Sequence, residues 1–538
     1  MKIKIFKFIF VIPFISYLIF IYLPRFYTKG RTFEGITLEE RVDRKLFALN
    51  QKIDKIFSKY FQNANKFYRR EIPYVVDAIF HDYAMYQEYG LISKNISAFL
   101  NDKDKFIPLK NLSIKKILPS NDKQNIPKYS PFFGIRSIIT KNQNNEIFLA
   151  TTTWPEPNCF IALCKKYFIK LESNNNFLTY ADKKNIKINW PNYFDHNKNN
   201  TIFGHSSADI DGDQQEDFIL LNKVFISSQK KWLTVKGDFP TLFSSEGKGY
   251  IVTFKKNSNT LQIYSFNKIK NKFEFYKKLN LQDFKIASRA PFPINPLNSI
   301  DGKLTLLVIL EDGLLSINLK NKNLIINKKL SHEVFKYPLK QNFLLGGAGD
   351  YNQDGYLDIW LSVRNYKNYG MAWLLNGKNI TKKESIESEK VLFTLSNLNG
   401  FNKTASEELD RSFDGIGSSL SYFSGDFDGD DLPDFSISSH FNLSFSGSLF
   451  ILRGDTISKL IANNIYKINT NNKAIIKIRG TLGSMLGSPH YHNDNYDFNK
   501  DGYSDFIISA DNDGYAGFNN GSFNILSGKK IVNSKQNN

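Results

Sequence analysis

The sequence predicts an all-β protein: a six-bladed β-propeller, with a seventh blade allowed for, behind an N-terminal membrane helix and a short helical segment. Three observations predict it. A glycine marker recurs about every 70 residues, a nine-residue acidic pattern repeats four times in register with it, and alternating apolar stretches end at glycine. Repeats of this length, each holding several short strands and turns, fit propeller blades. At 538 residues the chain is too long for one ordinary domain, but a ring of repeats can absorb most of it. Hydrophobic content of 41% and aromatic content of 15% supply a core and exclude a chain disordered throughout.

The first element, residues 1–30, opens with Lys2, Lys4 and Lys7, then runs uncharged from Phe8 to Pro24. That run is longer than the apolar core of a usual signal peptide, and bulky Phe26 and Tyr27 stand where a signal peptidase wants small residues. The reading is an uncleaved signal anchor, with a removed signal peptide as its rival. Positive charge on both flanks leaves orientation to be set by the chemistry downstream.

Residues 31–100 read as helical. Thr37-Leu-Glu-Glu40 is a capping-box pattern, and Val42, Leu46, Leu49, Ile53, Ile56 and Tyr60 line one stripe. Pro73 breaks the run before a second helix that ends at Gly90. This segment is either a stalk that oligomerises through 37–60 or a hairpin packed on itself or the ring. Fewer than three heptads favours the hairpin.

The propeller occupies 101–538. Gly134, Gly204, Gly346, Gly417 and Gly487 lie 70, 142, 71 and 70 residues apart, so one unit between Gly204 and Gly346 has lost its marker. SIDGKLTLLVILEDGLLSINL at 299–319 is that worn unit. GMAWLLNG, GSLFILRG and GSFNILSG, from Gly370, Gly447 and Gly521, mark strands closed by turns. The unit that begins near 209 carries an apparent insertion of roughly 20 residues before GYIVTF at Gly249, expected as a surface loop. A seventh blade could lie in that insertion or in 100–130. The tail KKIVNSKQNN leaves little for an outer strand, so a segment within 105–125, around LSIKKIL, is expected to close the ring.

The acidic loops share the pattern D-x-[DN]-x-D-x-x-x-D. Its members are Asp209, Asp211, Asp213 and Asp217; Asp350, Asn352, Asp354 and Asp358; Asp426, Asp428, Asp430 and Asp434; and Asp497, Asn499, Asp501 and Asp505. Oxygens at positions 1, 3, 5 and 9 converge only if the backbone coils around a point. The position-7 carbonyls of Gln215, Tyr356, Leu432 and Tyr503 would add a ligand each. Such a flexible set of hard oxygens suits Ca²⁺, about four ions in all, better than Mg²⁺ or Zn²⁺. Gly355 and Gly502 at position 6 permit a left-handed turn, while Gln214 and Asp431 there imply strain. An EF-hand fails because position 12 is Leu220, Leu361, Ile437 or Ile508 instead of Glu, and the flanks are strand-like.

Phe133-Gly134, Phe203-Gly204, the Asp-rich loop, the DFI-type strand and the G-x-x-x-I/L-L-x-G strand together resemble FG-GAP repeats, also called integrin-α-like or VCBS-type repeats. The resemblance covers roughly residues 130–530. It implies that the loops join neighbouring strands of a blade and hold structural Ca²⁺ on one face, with ligands bound elsewhere. KNQNNE at 141–146 and SIDGK at 299–303 lack the acidic set, so those two units are expected to be metal-free.

The functional expectation is a membrane-anchored, extracytoplasmic calcium-binding module for adhesion to a protein or glycan ligand, since loops of this kind load at extracellular calcium levels. The formal charge of +19 is scattered lysine without an Arg/Lys tract, which argues against nucleic acid. A propeller-type polysaccharide lyase or hydrolase is the alternative, with His490 and His492 as its best residues, and a structural subunit of an envelope complex is another. No serine-hydrolase elbow, P-loop or HExxH motif is present, so no catalytic residue is assigned. Cys159 and Cys164 could bridge locally or remain thiols. Arg453-Gly454-Asp455 spells the integrin-recognition tripeptide, but it falls at a strand-end turn where turn chemistry explains it.

Overall fold

The computed structural model describes residues 106–534, apart from 120–135, 153–165, 189–203, 282–285, 287–293, 299–303, 332–342, 364–369, 382–390, 397–421, 440–446, 481–483, 488–495, 511–520 and a few shorter turns. The N-terminal apolar run, the 31–100 segment, both cysteines, Gly134, Gly417, His490 and His492 lie outside the described residues. Among the described residues no helix is long and apolar enough to cross a membrane.

The described chain is mostly β and forms seven sheets. It opens with β1 (Ile107–Pro108), the short helix α1 (Leu109–Leu112) and β2 (Ser113–Leu118). The first sheet in chain order holds β3 (Arg136–Lys141), β4 (Ile147–Thr152) and β5 (Lys166–Leu171), followed by β6 (Leu178–Tyr180) and α2 (Ala181–Lys184). The second holds β7 (Gly204–Ala208), β8 (Asp217–Leu221), β9 (Lys223–Ile226) and β10 (Lys231–Thr234). The third holds β11 (Asp238–Ser245), β12 (Lys248–Lys255), β13 (Thr260–Asn267) and β14 (Lys272–Asn280). The fourth holds β15 (Ile294–Asn298), β16 (Leu304–Leu310), β17 (Gly313–Lys320) and β18 (Asn323–Ser331). The fifth is β19 (Phe343–Gly349), β20 (Asp358–Val363), β21 (Met371–Leu375) and β22 (Val391–Ser396), with α3 (Gly377–Thr381) after β21. The sixth contains β23 (Tyr422–Gly425), β24 (Asp434–Ser439), β25 (Ser448–Leu452) and β27 (Ile476–Arg479); α4 (Gly454–Ala462) and β26 (Lys467–Asn469) lie between the last two. The seventh pairs β28 (Phe506–Ala510) with β29 (Ser522–Leu526), and α5 (Gly528–Asn533) follows.

Within each sheet the pairing is antiparallel between sequence neighbours, the arrangement that short turns allow. The seventh sheet takes its next strand from the start of the described chain. There β2 runs antiparallel to β29, with Ser113 opposite Leu526 and Ile117 opposite Phe523. Three outer edges also gain a parallel strand: β26 on β22, β1 on β27 and β6 on β2. In two of these cases the added strand precedes the outer strand of the following sheet, so one connection ties two sheets together.

The core lies between consecutive sheets. Trp360 stacks on Phe435 at 3.8 Å between ring centroids, joining the fifth and sixth sheets, and Phe427 meets Phe506 edge-on at 6.0 Å. Ile525 and Ile117 share a cluster with Leu149 and Ile169, so the seventh sheet packs on the first. Phe168 reaches Phe218, Ile219 packs with Ile251, and Phe254 with Leu306, carrying the succession through the first four sheets. The fourth meets the fifth through α3, which lies against β17 and β18. Strands buried on both faces read as apolar runs, as β21 and β25 show, because neighbouring sheets cover each side.

The span after residue 221 differs from the expected surface insertion. It forms β9, β10 and β11, and GYIVTF is the body of β12, the second strand of a sheet of its own. This sheet has neither an acidic loop nor the closing glycine pattern, so the markers that reveal the others pass over it. The worn unit at 299–319 likewise belongs to a complete four-stranded sheet.

Candidate metal centre: four acidic loops

Three acidic loops join the first two strands of their sheets: 209–217 links β7 to β8, 350–358 links β19 to β20, and 426–434 links β23 to β24. The fourth, 497–505, leads from Tyr496 into β28, and Tyr496 is bridged to Asp505. The 141–146 turn between β3 and β4 is built differently, with Asn142 accepting from the backbone N–H groups of Asn144 and Glu146.

The four loops fold alike because each Asp does a defined job. The position-1 carboxylate draws the loop into a coil. Asp209 Oδ1 accepts from the N–H groups of Gly212 and Asp213 at 2.7 and 3.1 Å, and its Oδ2 from Gln214 at 2.9 Å. Asp426 repeats all three bonds, while Asp350 and Asp497 keep those from positions 5 and 6. At position 5, Asp213, Asp354, Asp430 and Asp501 each accept from the N–H of position 7, at 2.9–3.1 Å. That residue is Gln215, Tyr356, Leu432 or Tyr503. These side chain to backbone turns are local, which is why the spacing is so regular.

Coiling this tightly needs two left-handed residues per loop. Position 4 is Gly212, Gln353, Gly429 or Lys500, and position 6 is Gln214, Gly355, Asp431 or Gly502; all eight have φ between 56° and 86°. Each loop has glycine at one of the two positions and bears the cost of a side chain at the other. The strain expected of Gln214 and Asp431 is thus shared by Gln353 and Lys500.

Position 9 ties the loop to the rest of its sheet. Asp217, Asp358, Asp434 and Asp505 are completely buried. One oxygen of each accepts from the N–H of position 2: Ile210, Tyr351, Phe427 or Phe498, at 2.6–3.1 Å. The other accepts from a residue just beyond a strand, Ser227 after β9 or the first residue of α3, α4 or α5 (Gly377, Gly454 or Gly528), at 2.7–3.1 Å. Burial pushes these carboxyls up, to about 8 for Asp217 and Asp434, about 7 for Asp358 and about 6 for Asp505; the backbone donors oppose the rise and neighbouring carboxylates add to it.

Position 3 is where the loops diverge. Asp211 Oδ2 accepts from the Ser228 hydroxyl at 2.5 Å, while its Oδ1 is buried without a hydrogen-bond partner. Asn352 and Asn499 donate their amides to the position-5 carboxylates of Asp354 and Asp501. Asp428 forms an ion pair with Arg453. Ser228 and Arg453 follow the loops by more than ten residues, so the loop pattern does not announce them.

The donor set fits a hard divalent cation. Asp209, Asp211 and Asp217 each offer an oxygen within 4.8 Å of the others, as do Asp426, Asp428 and Asp434. The orphaned Asp211 Oδ1, on a residue 8% exposed, is the kind of buried acceptor that a bound ion would satisfy. Oxygen-only ligands from a coiled loop favour Ca²⁺ over softer metals.

No family model matches the chain, and no curated protein matches its sequence. Among solved structures, a Pseudomonas aeruginosa periplasmic gluconolactonase, PpgL, is 12% identical over 47% of this chain and 67% of its own, with a TM-score of 0.29. The fold described above rests on the strand pairing of this chain itself.

Proposed function

We infer that the chain is a membrane-anchored, extracytoplasmic β-propeller of the FG-GAP type whose four acidic loops carry Ca²⁺ and which binds a protein or glycan ligand. The observation that carries this reading is the fourfold recurrence of one loop geometry, each time leading into an apolar strand, with the buried Asp211 oxygen left for an ion. Seven sheets packed in succession, with the last sheet completed by β2 and resting on the first, support the ring and raise the expected blade number from six to seven. The uncharged run from Phe8 to Pro24 supports the anchor. Loops of this kind load at extracellular calcium levels, which favours a ring on the outer side of the membrane.

In this reading the ions have a structural task. Each loop pattern carries three or four carboxylates, which converge in the 209–217 and 426–434 loops, and a divalent cation removes their repulsion and fixes the hairpin that bears them. The rigid ring then presents its remaining surface, basic in sum, to the ligand. The test is a binding screen of the full chain against immobilised glycans and surface proteins, run in millimolar calcium and again in chelator. Retention of a defined ligand in calcium and its loss in chelator supports the reading. Ligand retention indifferent to calcium, or turnover of an anionic polysaccharide, contradicts it.

A further inference from the structure

The third loop differs from the other three in the partner of its position-3 residue. Asp211 takes a hydroxyl, and Asn352 and Asn499 engage their own loops, but Asp428 takes a full positive charge from Arg453. The Asp428 side chain is 4% exposed and the Arg453 side chain 37%, so a buried carboxylate is paired with a partly exposed guanidinium. Its Nε also lies 3.6 Å from Asp455, whose other oxygen holds Lys459 at 2.8 Å.

The residue type at 453 runs against what its local position favours. Arg453 is the N-cap of α4, and its side chain makes no capping bond. The matching residue before α5 is Ser527, which accepts from the Lys530 N–H at 3.3 Å. Before α3 it is Asn376, which accepts from the Asn379 N–H at 3.0 Å. Serine and asparagine are the caps a helix start favours. The third unit forgoes that bond and gains a cation over its loop, the sort of local conflict that points to a function.

Resting on the calcium reading of the loops, we propose that Arg453 is a built-in competitor of Ca²⁺ at the third loop, which lowers the affinity this loop would otherwise have for the ion. The carboxylates around the guanidinium are the ones an ion would need: Asp426, Asp428 and Asp434 converge, and Asp428, Asp430 and Asp455 form a second grouping beside them. An ion that draws on Asp428 must displace a charge-assisted pair, and the cost of that displacement is subtracted from its affinity. Filling the third loop therefore takes more calcium than it would without Arg453, and it releases the Arg453 side chain from Asp428.

The test is a calcium titration of the full chain by calorimetry, comparing wild type with Arg453→Asn, which installs the cap type found at Asn376. One site should tighten by about tenfold or more, as loss of the cation paired with a buried carboxylate implies, with the others unmoved. Arg453→Lys, which keeps a cation, should stay close to wild type. Adding Asp428→Asn to Arg453→Asn should abolish the gain. Unchanged isotherms for Arg453→Asn, or the loss of a site, overturn the competitor role while leaving calcium binding by the loops intact. Absence of calcium binding in every variant overturns both this role and the reading beneath it.

Discussion

Asp434 shows how much rests on a single carboxylate. It satisfies the N–H of Phe427 in its own loop and that of Gly454 at the start of α4, both out of reach of water. Asp434→Ala strands both donors and should cost roughly 2–4 kcal/mol in urea denaturation. Asp434→Asn keeps one acceptor and should cost less. The four position-9 carboxyls also set a pH dependence. Their folded-state values are raised above the ordinary carboxyl value of about 4, so from there up to about 8 the folded chain holds protons that the unfolded chain has released. Stability of the metal-free chain is therefore greatest at the acid end of that window and is lost as pH rises through it. Thermal midpoints in chelator should fall between pH 5 and pH 8 more steeply for wild type than for Asp217→Asn. At this scale the loop residues are legible in the sequence because their hydrogen bonds are local and fix their spacing. Ser228 and Arg453 are not, since they reach the loops from distant strand ends, and the second left-handed position escapes notice because its glycine alternates with position 6.

The closing strands β21, β25 and β29 show why their motif ends in glycine. A Cβ on Gly377 would sit 2.0 Å from the Leu357 carbonyl oxygen, one on Gly528 2.0 Å from that of Ser504, and one on Gly454 2.8 Å from that of Leu432. The glycine is the price of seating each loop directly on the end of the strand that anchors its position-9 Asp. Gly528→Ala should destabilise by about 2–3 kcal/mol, readable as a lower urea midpoint with little change in slope. The strand β2 carries a second prediction. It covers β29 and buries Ile117 among Ile525, Phe523 and Ile169. Deleting 105–125 should replace one sharp thermal transition by a broad one, and an equally sharp transition at the wild-type temperature would contradict the role given to β2. The strands after the acidic loops are legible as apolar runs closed by glycine. The parallel strands β1, β6 and β26 are not, because two or three residues carry no periodicity and their partners lie in another sheet. The 238–280 sheet was hidden for a different reason: without a loop to coil or a glycine to seat, it needs neither marker.

For the whole molecule, the repeat period announces a succession of β-sheets, but their number is set by packing, and packing admits units that have lost the signature. Among the described residues three sheets have no acidic loop and still bury the same kind of apolar layer. The acidic loops and the fold are thus separable: hydrophobic burial holds all seven sheets, and in the proposed reading calcium adds rigidity to four of them. The central claim is that the four loops bind calcium, and differential scanning calorimetry of the full chain tests it most directly, in 5 mM Ca²⁺ and in chelator at about pH 7.5. The account predicts a midpoint several degrees higher in calcium, a shift that shrinks when Asp211→Asn and Asp428→Asn are combined. Equal midpoints in calcium and chelator would contradict it.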